Sequence, residues 1–278
     1  MKFAMCNEFC EGWAVDDAFR LARDVGYTGV EVAPFTLAED ARLVPLAERQ
    51  RLRGVAEQCG LSVIGLHWLL VKPAGMSITD PDASVRRATQ LYLEALVHLC
   101  ADLGGDRLVF GSPKQRQVLP GCTAEQAWQW AREVFAGLLP TAAERGVTFC
   151  IEPLARADTN FINTVREGLR LVADLGHPNF RVHLDVKAMC DEGRPLGDII
   201  REAKGQVGHL HVNDANRNGP GWGDTDYGPI VQALADIGYD DVASVEVFDF
   251  SFGAERIARS SLEFLQRVFG APPRQGVP

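Results

Sequence analysis

The chain has 278 residues, 46% of them hydrophobic and 23% charged, with 28 Lys and Arg against 37 Asp and Glu for a formal net charge of -9. This composition predicts a soluble globular protein rather than a disordered one, and the acidic balance excludes a nucleic-acid backbone as the main partner, since that binding relies on Lys and Arg neutralising phosphates. No apolar run approaches the ~18 residues of a membrane span, and the start, Met1-Lys2-Phe3-Ala4-Met5-Cys6-Asn7-Glu8, lacks the apolar stretch of a signal peptide.

Short β-branched runs alternate with longer stretches of helical period. A strand is expected at Phe3–Cys6 and a helix at Asp16–Val25, where Val15, Ala18, Phe19, Ala22 and Val25 recur at helical spacing. Next come strand Gly29–Ala33 with helix Val44–Cys59, strand Ser62–His67 with helix Ala83–Leu103, and strand Arg107–Phe110 with helix Glu125–Arg145. The second half repeats the unit: Thr148–Glu152 with Thr164–Leu175, Arg181–Asp185 with Gly197–Lys204, Gly208–Val212 with Pro229–Ile237, and Ala243–Phe248 with Ala254–Phe269. Gly26, Gly60, Gly104, Gly146, Gly176 and Gly238 stand where left-handed residues stop helices.

Eight strand–helix units predict a single (β/α)8 TIM barrel over residues 1–270, with 271–278 as a C-terminal tail. A doubly wound open sheet would show a Gly-rich phosphate loop after its first strand. The chain has Asn7-Glu8-Phe9-Cys10-Glu11 there instead. The seven cysteines (6, 10, 59, 100, 122, 150, 190) form no CxxC pair and read as reduced thiols of a cytoplasmic protein.

Barrel enzymes keep their chemistry at the C-terminal ends of the strands. The fifth strand ends in Glu152-Pro153, the sixth in Asp185, the seventh in His211 before Val212-Asn213-Asp214, and the eighth carries Glu246 before Val247-Phe248. The separations (152 to 185, 185 to 211, 211 to 246) are each about one strand–helix unit. Three carboxylates brought together repel one another, and a divalent cation removes that repulsion. Two Glu, one Asp and one His form a hard, oxygen-rich set that suits Mn²⁺ first, with Mg²⁺, Co²⁺ or Zn²⁺ compatible. Taken singly, these residues have simpler readings. Asp185 precedes Val186-Lys187-Ala188-Met189 and suits a helix N-cap, and His209 shares the face of His211 by alternation, so either imidazole fits the ligand role.

The runs Ile151-Glu152-Pro153, His183-Leu184-Asp185-Val186-Lys187-Ala188-Met189, His209-Leu210-His211-Val212-Asn213-Asp214 and Ser244-Val245-Glu246-Val247-Phe248 resemble the xylose isomerase-like barrel superfamily. Within it they are most similar to the sugar phosphate isomerase/epimerase group that includes the ketose 3-epimerases. Gly26-Tyr27-Thr28-Gly29-Val30-Glu31-Val32, Asn216-Arg217-Asn218-Gly219-Pro220-Gly221 and Asp224-Thr225-Asp226-Tyr227 carry the same resemblance.

The resemblance implies that Glu152, Asp185, His211 and Glu246 bind the metal, and that Glu152 and Glu246 are also the acid/base pair. It implies that Arg217 touches substrate hydroxyls. Asp158 falls where the epimerases carry a substrate-holding glutamate, and Ala188 where they carry a histidine. Lys187 lies beside that substitution. His67-Trp68, at the end of the third strand, and Glu8, after the first, are further candidates to meet substrate; an aromatic at the mouth can stack on a sugar face.

The expected function is a divalent-metal-dependent epimerase or isomerase of a keto sugar. Its two glutamates would move a proton through a metal-stabilised enediolate. The alternative is a metal-dependent lyase or dehydratase acting on an inosose or an oxidised glycoside. No Gly-rich phosphate grip follows strands seven and eight, which favours a non-phosphorylated sugar or polyol. The resemblance further implies a homodimer or homotetramer.

Overall fold

In the computed structural model, which describes residues 1–270, eight strands pair in parallel and in sequence order. They are β1 (Lys2–Cys6), β2 (Gly29–Val32), β3 (Ser62–Leu66), β4 (Arg107–Phe110), β5 (Thr148–Ile151), β6 (Phe180–Asp185), β7 (Val207–Val212) and β8 (Val242–Val245). Pairing of β8 with β1, Lys2 opposite Val242 through Met5 opposite Val245, closes the barrel. The predicted (β/α)8 architecture is therefore the observed one, and the expected tail at 271–278 lies outside the described residues.

Parallel neighbours need a crossover between them. The helices that supply it are α1 (Val15–Val25), α2 (Leu46–Gln58), α3 (Ala83–Leu103), α4 (Ala124–Glu144), α5 (Val165–Leu175), α7 (Leu196–Glu202) and α8 (Gly228–Ile237), while α9 (Ala254–Phe269) follows β8. A short extra helix, α6 (Val186–Cys190), follows β6. Five residues are too few to show helical periodicity in the sequence. The six glycines read as helix stops all have positive φ. Helix α2 starts at Leu46 rather than Val44, because Val44 is extended and Pro45 takes the N-cap. Helices α4 and α5 open with complete capping boxes, Thr123 with Gln126 and Thr164 with Glu167.

The main core lies between the barrel and its helices. Phe110, Phe135, Phe149 and Phe180 interlock there, with Phe135 centroids 5.2, 6.2 and 4.9 Å from the other three. A second, small apolar group, Ala4, Ile64 and Val242, lies apart from it. No helix among the described residues is long and apolar enough to cross a membrane.

Strands β3, β5 and β8 stop one to three residues earlier than the hydrophobic pattern predicts. The shortfall falls on His67, Glu152 and Glu246. Each backbone N–H still reaches the neighbouring strand: Glu152 N donates to Phe110 O at 3.1 Å and Glu246 N to Val212 O at 3.4 Å. Asp185 and His211 stay within β6 and β7, and β2 likewise ends one residue early, at Val32.

Candidate active site

Strand alternation sends every second side chain to one face. Here Cys6, Glu31, His183, His209, His211 and Ser244 are all fully buried. Arg107 Nη1 donates to Asp241 Oδ2 at 3.0 Å and to His209 Nδ1 at 3.2 Å. His209 Nε2 meets one oxygen of Glu31, with Ser244 Oγ at 3.1 Å. The other Glu31 oxygen meets His211 Nε2 at 3.2 Å. A continuous polar column, Asp241–Arg107–His209–Glu31–His211, therefore links the start of β4 to the strand ends where the site forms.

This column separates the two histidines that alternation left equivalent. His209 has a partner on each ring nitrogen. His211 uses Nε2 on Glu31, while its Nδ1 has no hydrogen-bond partner and lies 3.2 Å from Glu246 Oε2. A carboxylate on one imidazole nitrogen fixes the tautomer that offers the other nitrogen to a ligand.

Around His211, ligand atoms of Glu152, His183 and Asp185 gather so that all four lie within 4.8 Å of one another. Asp185 takes the helix-cap role that the sequence offered it. It caps α6 through Ala188 N at 2.7 Å, and its other oxygen accepts from Asn213 Nδ2 at 2.6 Å. Glu246 stands at the edge of the set, where Oε1 accepts from Trp68 Nε1 at 2.7 Å. Both nitrogens of His183 and Oε2 of Glu246 are buried without partners. Buried polar atoms are normally paired. The donor set, two imidazoles and two or three carboxylates with atoms to spare, fits a divalent cation.

The environment drives the two glutamates in opposite directions. Burial pushes the Glu152 carboxyl well above its ordinary range, and the nearby Glu246 and Asp185 push it further. Burial also opposes charge on Glu246, but the His211 and His67 imidazoles outweigh it and hold that carboxyl low. Asp185 is pushed up to about 6, chiefly by burial and then by Glu246. Glu31 is held well below the usual range by His209 and His211 despite its burial.

A cavity of 350 Å³ opens onto this cluster, walled by Glu152, Asp158, Asp185, Lys187, Arg217, Glu246, Trp68 and Phe248 among others. Trp68 stacks on Phe248 at 6.3 Å and 22°. Gly111 also belongs to the wall, and a Cβ there would sit 2.2 Å from Glu152 Oε2. Only a glycine leaves that carboxylate its place. Lys187 Nζ forms an ion pair with Asp158 Oδ2, and Arg217 Nη1 lies 3.8 Å from Asp158 Oδ1. The two departures noted in the sequence are thus joined, because the residue beside Ala188 pairs with Asp158.

Glu8 and His67 lie behind the cavity wall. Glu8 Oε1 accepts from Val247 N at 3.1 Å, and Oε2 faces His67 Nε2 at 3.4 Å; the other nitrogen of His67 is 3.8 Å from Glu246. Sequence reasoning gave no role to His183, Glu31 or Arg116. The signal for His183 was present, since it precedes Asp185 by two and shares its face. A lone charge in the apolar run Val30-Glu31-Val32 also marked Glu31. Nothing local marked Arg116, which only the tertiary fold buries.

Residues 19–268 match the family described as Xylose isomerase-like TIM barrel. Among curated proteins, an L-ribulose 3-epimerase of Mesorhizobium japonicum is 30% identical over 210 residues, 75% of this chain and 70% of that protein. A D-psicose 3-epimerase of Agrobacterium fabrum is 28% identical over 270 residues, covering 88% and 90%. Among solved structures, a D-psicose 3-epimerase crystallised in the presence of D-fructose superposes with a TM-score of 0.86 at 25% identity, covering 98% of this chain and 100% of that one.

Proposed function

This chain belongs to the xylose isomerase-like TIM barrel family and is an isomerase with ketose 3-epimerase-like activity; on that premise we propose that it is a divalent-metal-dependent enzyme inverting C3 of a keto sugar with Glu246 and Glu152 as its acid/base pair. The carrying observation is that these two carboxylates face one cavity from the ends of β8 and β5 while their surroundings push their proton affinities apart. Such a split is how a protein sets one carboxylate to take a proton and another to give one.

Glu246, ionised and held by Trp68 and His211, takes the C3 proton from one face of the substrate. Glu152, facing it from the other side, returns a proton to the opposite face, and the configuration at C3 inverts. Trp68 and Phe248 form an apolar wall that keeps water from the enediolate while it exists. Glu152, Asp185 and His211, with His183 or Glu246 adjacent, would hold the divalent ion, Mn²⁺ being the best match to the donors. The ion would supply Lewis-acid polarisation of the substrate carbonyl. Glu31 fixes the His211 ring for that purpose.

The test is solvent deuterium exchange into a panel of 2-ketoses with Mn²⁺ present, followed by mass spectrometry. Wild type is expected to incorporate one deuteron at C3, and Glu152→Gln and Glu246→Gln to lose that exchange. Unchanged exchange in both variants overturns the two-glutamate scheme, and loss of water from the substrate identifies a lyase instead.

A further inference from the structure

The metal-ligand cluster accounts for one end of the cavity; the other end carries an excess of positive charge that a neutral sugar does not use. Lys114, Lys187 and Arg217 all belong to the wall, and among the described residues lining that end Asp158 alone opposes them. The remaining wall carboxylates, Glu152, Asp185 and Glu246, are committed to the chemistry above. Lys187, with 12% of its side chain exposed, and Arg217 share the single Asp158 carboxylate and also the Phe248 ring, with Nζ 5.5 Å and Cζ 5.2 Å from its centroid. Beneath this end Arg116 is fully buried. Its Nη2 donates to Ile162 O at 3.1 Å, and its Nε and Nη1 have no partner. The charges nearest to it include Glu152 and Asp158.

The backbone holds this arrangement at a cost. Among the described residues four non-glycine positions have positive φ, and three of them, Trp68 at 51°, Ser112 at 43° and Arg217 at 72°, belong to the cavity wall. Arg217 is pinned in that conformation by its N–H on Asp214 O at 2.9 Å and by Phe248 N on its own carbonyl at 3.0 Å. Strain of this kind persists where the surrounding structure enforces it and clusters at functional sites. Here it aims a guanidinium across Phe248 into the cavity mouth.

We propose that the substrate is an anionic keto sugar whose acidic terminus is received by Lys187 and Arg217, with Lys114 at the rim and Arg116 behind. A low-dielectric wall with a local excess of one sign of charge focuses the field on an incoming ion of the other sign, and an Arg–Lys pair matches a carboxylate or phosphate oxygen set. A carboxylate fits better than a phosphate, because no glycine-rich loop offers backbone N–H groups at this end. This inference rests on the epimerase reading above and names its substrate class.

The experiment measures deuterium exchange at C3 for three ketoses differing at one terminus: D-fructose, its 6-carboxylate and its 6-phosphate. The expected kcat/KM for an anion exceeds that for D-fructose by roughly 10- to 100-fold, the gain of a charge-assisted contact, and the gap narrows as salt screens it. Lys187→Met is expected to reduce the anion-to-neutral ratio about 10-fold, while Lys187→Arg retains most of it. A larger ratio for the phosphate than for the carboxylate would keep the anionic end and reassign its group. Exchange of D-fructose at a rate equal to both anions, with wild type active, overturns the proposal and leaves the epimerase reading intact. Absence of exchange from all three removes the epimerase reading. Calorimetric titration of the same three compounds then decides the anionic end by itself: tighter binding of an anion that Lys187→Met abolishes sustains it, and equal binding refutes it.

Discussion

Two regions of the barrel interior are equally buried and differ in how their polar atoms are used. In the lower one, Arg107, His209 and Glu31 form a column, met at its outer end by the half-exposed Asp241, in which the charged and imidazole groups meet complementary partners. In the upper one, Glu152, Glu246, His183 and the open face of His211 crowd together with partnerless atoms and like charges. Burial is the same, so burial alone does not distinguish structure from function. What distinguishes them is satisfaction: the lower region stabilises itself, and the upper one holds unpaired donor atoms in place for a ligand.

Substitution of the two glutamates tests this difference most sharply. Removing a positioned acid or base costs catalysis about 10²- to 10⁴-fold, so Glu152→Gln is expected to fall that far in turnover. The same change should leave the melting temperature unchanged or raise it, because a neutral amide replaces a buried carboxyl whose charged form Glu246 and Asp185 oppose. A large loss of stability would show that the upper region is structural after all. Glu31→Ala should behave in the opposite way. Two imidazoles and, through His209, Arg107 lose their common partner, and breaking such a buried network costs about 3–5 kcal/mol, read as a lowered denaturation midpoint. The milder Glu31→Gln should fold and bind a divalent ion about 10- to 100-fold more weakly by calorimetry.

The pH dependence of stability sharpens the comparison further. Burial, offset in part by His67 and reinforced by Glu246, pushes Glu8 up to about 7, and burial pushes Asp185 up to about 6. Each binds its proton more tightly folded than unfolded. Their contribution is therefore fully present below the unfolded values of 4.5 for Glu8 and 3.8 for Asp185, and is lost as pH rises through about 7 and about 6 respectively. Metal-free protein should show a falling denaturation midpoint over that window. Glu8→Gln should flatten part of the fall, and a divalent ion should suppress the part due to Asp185. The smallest effect is expected away from both regions. Thr164→Ala removes the capping hydroxyl of α5, costs about 1 kcal/mol, and should leave kcat unchanged.

Much of this was legible in the sequence because periodicity and punctuation are local. The eight strand–helix units, the glycine stops and the placement of Glu152, Asp185, His211 and Glu246 at strand ends follow from residue spacing alone. Boundaries were less legible, as Pro45 and the early ends of β3, β5 and β8 show, because side-chain periodicity does not register where the backbone leaves the paired ladder. The choice between His209 and His211 was not legible either. Alternation gives both the same face, and only their depth relative to Glu31 and Arg107 separates them. Glu8 and His67 were read as substrate contacts from their position in the chain; the fold turns Glu8 back onto the Val247 N–H and leaves both behind Glu246.

The sequence by itself determined the architecture, the end of the barrel that carries the chemistry and the types of group delivered there, since hydrophobic period and strand-end identity are properties of neighbouring residues. The tertiary structure alone decided which groups are satisfied and which are left open. Glu31 reaches two histidines about 180 positions away, Lys187 finds Asp158, and Arg116 loses all contact with water. Those outcomes depend on distances across a closed barrel, where residues remote in the chain share a space from which solvent is excluded.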